Sequence, residues 1–81
     1  MDDKTVVDAF LDTVMNQIAT GDPPETKATL DRLMAEGYSK PQALQAIAQT
    51  LRVEMNRMMS EATPFDNTRY AGLLAKIKGE G

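Results

Sequence analysis

The residues able to do chemistry in this chain are carboxylates, arginines, lysines, tyrosines and methionine thioethers, because it has no cysteine and no histidine. Those two absences remove Ser-His-Asp and Cys-His nucleophilic sites, Cys/His zinc sites and the Glu-x-x-His di-iron bundle. Acid–base work would fall to carboxylates, lysines or tyrosines alone. Asp8 and Asp12 stand at i and i+4, which puts both on one face of a helix, as a metal-holding or proton-sharing pair would be. On an otherwise polar stripe, two such carboxylates are more simply solvated charge. Glu54 is set differently, among Val53, Met55 and Met58. A buried carboxylate there needs a partner, and Arg32, Arg57 and Arg69 are the choices, with Arg69 foremost. A pocket on which Glu54, Arg69 and Tyr70 converged would be an acid–base site; a structural ion pair asks less of the same residues.

The thioethers form the next group: Met34, Met55, Met58 and Met59. Methionine fills irregular cores, and it also lines adaptable binding grooves. Val53, Met55, Met58 and Met59 fall near the end of the longest expected helix and are the candidate interface. A further set, Lys40, Gln42, Gln45, Gln49 and Arg52, has side chains that can reach base edges. In a helix-turn-helix reader, however, Asp22, Glu25, Asp31 and Glu36 on the partner helix would face phosphates. Lysines and arginines number 9 against 12 acidic residues, a net charge of -3, where a nucleic-acid binder usually shows a basic face.

Four helical segments, at about 3–20, 23–36, 40–61 and 67–78, must position these residues. In the first, Val6, Val7, Phe10, Leu11, Val14, Met15 and Ile18 recur at steps of three and four, with Lys4, Asp8, Asp12 and Asn16 opposite. Asp2 and Asp3 suit its N-terminus and Gly21 its end. Asp22-Pro23-Pro24-Glu25 starts the second helix, with Asp22 as cap and Pro23 in the first helical position. Leu30, Leu33 and Met34 are its apolar stripe. Gly37 ends it in the left-handed conformation, with Tyr38 packed on Leu33. Ser39-Lys40-Pro41-Gln42 is a capping box for the third, flanked by Tyr38 and Ala43 as a staple. Its stripe is Leu44, Ala48, Leu51, Met55, Met58 and Ala62, widened by Ile47 and Met59. Thr63-Pro64-Phe65 breaks it, and Asp66 caps the fourth. There Tyr70, Leu73, Leu74 and Ile77 face inward, Phe65 pairs with Tyr70, Lys76 and Lys78 favour the C-terminal dipole, and Gly79 ends the run.

The run Leu33-Met34-Ala35-Glu36-Gly37-Tyr38-Ser39-Lys40-Pro41-Gln42-Ala43-Leu44 resembles the first two helices of a ubiquitin-associated domain, whose Gly-aromatic loop touches ubiquitin. The third helix here runs several turns further than that family's short second helix, and Gly37-Tyr38 also serves as an ordinary helix stop. More broadly, Asp22-Pro-Pro-Glu25, Arg32-Leu33, Gly37-Tyr38, Ala43, Ile47, Glu54, Phe65-Asp66 and Arg69-Tyr70 are similar to a short all-helical module of uncharacterised bacterial proteins. That resemblance implies a fold and no activity.

The expectation is an all-α protein, a compact bundle of four helices forming one domain over residues 1–81 with a long third helix. No run of about 18 apolar residues is present to span a membrane, and Met-Asp-Asp-Lys lacks the layout of a signal peptide, so the cytoplasm is expected. The function expected is a non-enzymatic structural or protein-interaction module with no cofactor and no metal, the alternative being a nucleic-acid-binding helix-turn-helix regulator. Self-association as a homodimer follows from lengths. A second helix of about 14 residues reaches roughly 21 Å and a third of about 22 roughly 33 Å, which leaves Val53, Met55, Met58 and Met59 for a second copy or another protein to cover.

Overall fold

The computed structural model describes residues 3–77, of which residues 3–7 as backbone alone. Asp2, Lys78 and Gly79, and the side chains of Asp3, Lys4, Val6 and Val7, lie outside what is described. Four helices are present: α1 (Asp3–Thr20), α2 (Pro24–Ala35), α3 (Lys40–Glu61) and α4 (Asn67–Ala75). There is no strand among the described residues.

Each boundary follows from local chemistry. Gly21 and Gly37 take positive φ, +72° and +107°. At the second of these, the Tyr38 amide donates to the Leu33 carbonyl at 3.0 Å and the Gly37 amide to Met34 at 3.2 Å. This is a Schellman stop. The same pattern closes α1, with Asp22 donating to Gln17 and Gly21 to Ile18. Ser39 opens α3 with both halves of the capping box: its hydroxyl accepts from the Gln42 amide and the Gln42 side chain accepts from the Ser39 amide. Asp66 accepts from the Arg69 amide at the start of α4, and the rings of Phe65 and Tyr70 meet edge to face at 5.5 Å.

Three boundaries differ from expectation. α2 starts one residue late, with Pro23 as the flanking residue and no side-chain cap bond; the Asp22 amide is bonded back into the stop of α1, so Asp22 belongs to that turn rather than to α2. α2 also ends at Ala35, since Glu36 is already the cap of the Schellman turn. α4 ends at Ala75 instead of about 78, and Lys76 and Ile77 close it with shorter i→i−3 bonds to Leu73 and Leu74. The Leu74 carbonyl there also accepts from Arg32 Nη2 at 2.9 Å, a partner 42 positions away in the chain.

α1 lies along α3; α2 packs on both, and α4 packs on α2 and α3. Val14, Leu30, Leu33, Ala43, Ile47, Ala48, Leu51, Tyr70 and Leu74 make one core, with Phe10, Leu11, Ile18, Tyr38, Leu44 and Met55 against it. α2, with 12 residues, is shorter than the 22 of α3, and α1 and α4 pack on α3 beside it.

Candidate interaction surface

Glu54 is fully buried, and Arg69 Nε lies 3.6 Å from its Oε1. Neither carboxylate oxygen receives a hydrogen bond, so the contact is charge on charge. Arg69 divides itself, placing Nη1 3.3 Å from Glu61. The expected Glu54–Arg69 pairing is therefore the one made. Tyr70, next in sequence to Arg69, faces elsewhere: its hydroxyl donates to Gln17 Oε1 at 3.3 Å, the same atom that receives the Thr26 hydroxyl at 2.9 Å. Burial raises the Tyr70 phenol above its ordinary pKa, and the Thr26 hydroxyl opposes that shift in part. Glu54, Arg69 and Tyr70 thus belong to two separate buried polar contacts that fasten α4, one to α3 and one to α1 and α2.

Asp8 and Asp12 are both exposed on α1. Among the described residues no three of His, Cys, Asp and Glu come together as a metal-holding group.

The four candidate interface residues do not share one face. Met55 packs against the core and Met58 is half-buried. Val53 and Met59 remain exposed, at 49% and 82%, but on a helix turning about 100° per residue they point about 120° apart. Of the helix-turn-helix set, Lys40, Gln42, Gln45 and Gln49 are exposed and Arg52 is half-buried. The Gln42 carboxamide is held in the cap. With Gly37, Tyr38 and Ala46, the three glutamines line a shallow cleft of about 300 Å³. The acidic residues of α2 are mostly engaged: Asp31 with Lys27, Glu36 with Arg32, and Glu25 with Asn67.

A more apolar opening lies elsewhere, between the C-terminal half of α1 and the first turns of α3. Two adjoining depressions of about 390 and 190 Å³ share Met15, Lys40 and Leu44. Leu11, Pro41, Gln42 and Gln45 complete one; Ile18, Ala19 and Leu30 complete the other. Met15 is 55% exposed at the centre. Reading α1 as amphipathic puts Met15 in the core stripe and misses this surface. The available signal is the width of that stripe, since Val14 and Met15 are adjacent residues about 100° apart and one neighbouring helix cannot cover both.

Among the described residues no helix is long and apolar enough to cross a membrane. No protein-family model, curated protein or solved structure matches the chain, so neither resemblance gains or loses support from such comparisons.

Proposed function

We propose that this chain is a non-enzymatic protein-interaction module working in the cytoplasm, with the groove between α1 and α3 as its contact surface. The observation that carries the reading is that groove: apolar side chains from three helices, Leu11, Met15, Ile18, Leu30 and Leu44, line a continuous opening with a methionine at its centre. Apolar patches of this kind mark interaction sites when they are contiguous and rimmed by polar residues. Here the exposed Lys40, Gln42 and Gln45 stand among the lining residues. Methionine suits such a surface because its unbranched, polarisable side chain adapts to the partner. The carboxylate best placed for chemistry supports the same reading, since Glu54 is closed off inside the fold against Arg69.

The test is a photo-crosslinking residue placed at Met15 in cells making the protein at native levels. The expected result is a protein adduct of discrete mass, with none when the same residue replaces Asp31 on the polar face of α2. No protein adduct at position 15, or an adduct to nucleic acid in its place, ends the reading.

A further inference from the structure

We infer that α4 is a releasable strap: it leaves the bundle as a unit while α1, α2 and α3 stay packed, and the buried Glu54 carboxylate at its seam sets how readily it does so. Three observations meet at that seam. The first is the packing. α1, α2 and α3 each pack on the other two, whereas α4 packs on α2 and α3 and reaches α1 through the Tyr70–Gln17 bond. Its departure takes Tyr70 and Leu74 out of the core and leaves the other core residues on three mutually packed helices. The second is polar. Among the described residues, the buried side-chain oxygens without a hydrogen-bond partner are both oxygens of Glu54 and the hydroxyl of Thr63. Glu54 faces Arg69 of α4, and Thr63 stands in the connection from α3 to α4. The uncompensated loss of hydration is thus gathered where α4 closes, and opening returns those atoms to water. The third is the backbone. Ala62 starts that connection in the left-handed region at φ 53°, a strain for alanine that opening can release. Against these stand the burial of Tyr70 and Leu74 and the bonds of Arg32 to the Leu74 carbonyl and Asn67 to Glu25. Once off, nine residues do not hold a helix. Opening therefore presents a surface on α2 and α3 that the closed fold hides, and elements that move in this way come from the least stable part of a fold.

Native-state amide hydrogen exchange of the whole chain tests this, read by NMR at several urea concentrations below the unfolding transition. The amides of residues 70–75 are expected to exchange through one shared opening, with protection roughly tenfold or more below that of residues 47–51. Leu44→Ala removes packing in the α1–α3 groove, which the open and closed states share. It should lower protection in residues 47–51 and leave residues 70–75 unchanged. Arg69→Met strands the Glu54 charge and should make opening of α4 roughly 100-fold more frequent. Adding Glu54→Met to Arg69→Met should reverse most of that increase, which the loss of arginine packing alone would not allow. One common protection level for both segments overturns the strap, and so does Leu44→Ala acting on both alike. Two levels without rescue by Glu54→Met overturn the part given to Glu54.

Discussion

Glu54 concentrates the unusual energetics of this protein in a single side chain. A fully buried carboxylate opposite a cation at 3.6 Å, with no hydrogen bond to either oxygen, gains attraction but little compensation for lost hydration. The two partners are not equivalent. Arg69 is only partly buried and has Glu61 as a second partner, whereas Glu54 has Arg69. Arg69→Met should therefore destabilise by on the order of 3 kcal/mol, leaving a charge stranded inside, while Glu54→Met should stay within about 1 kcal/mol of wild type. Urea unfolding of both variants checks the asymmetry; equal losses would refute it. Tyr70 gives the second residue-scale prediction. Its phenol is raised by burial, so the folded state holds the proton where the unfolded chain releases it. That contribution is intact below the unfolded value of about 10 and is lost as pH rises past it toward the folded value. The urea midpoint of wild type should fall more steeply above about pH 10 than that of Tyr70→Phe. Parallel curves would sever Tyr70 from the alkaline limb.

The helices owe their ends to a few backbone conformations. Gly37 ends α2 at φ +107° with open space where a Cβ would go, so Gly37→Ala tests backbone strain without a clash, and a loss on the order of 1 kcal/mol is expected. The converse position is Ala62. It closes α3 in the left-handed region at φ 53°, and Thr63 bonds back to Met58 as a Schellman turn requires. Alanine is strained there and glycine is not. Ala62→Gly should raise stability by about 0.5 kcal/mol, less than the full relief because the unfolded chain gains freedom. Chemical denaturation of the two variants should give opposite signs. α4, with 9 residues, is too short to persist alone, and Arg32 supports it through the Leu74 carbonyl. Arg32→Met should speed amide exchange in α4 well before it changes exchange in α3, while Glu36→Gln should not. Uniform acceleration across both helices would show that Arg32 braces the whole bundle.

The molecule as a whole is small, with a radius of gyration of 12.3 Å, and a core of this size gives modest stability. A partner seated in the α1–α3 groove would add to it by mass action. The melting midpoint of the wild-type chain should then rise with the concentration of the protein that crosslinks at position 15, and that of Met15→Glu should not. A midpoint independent of concentration in both would leave the chain to its own core.

Features written in neighbouring residues were legible in the chain alone. The apolar period of 3.6, the Gly37-Tyr38 stop, the Ser39–Gln42 capping box and the Asp66 cap all act within a turn or so of chain, and all stand in the structure. Glu54–Arg69 was legible too, because a carboxylate amid methionines needs a cation and few were within reach. Which part of a broad apolar stripe stays uncovered depends on how the helices pack. Of the end of α3 expected to be bare, Val53 and Met59 are exposed, while Met55 packs against the core and Met58 is half-buried. Met15, on the far edge of α1, is left beside Leu44 in a groove as well. Arg32 at Leu74 and Gln17 between Thr26 and Tyr70 were likewise beyond reading. Helical periodicity says how wide an apolar face is; the angles at which helices cross say how much of it a neighbour covers, and those angles arise from the packing of whole side-chain surfaces.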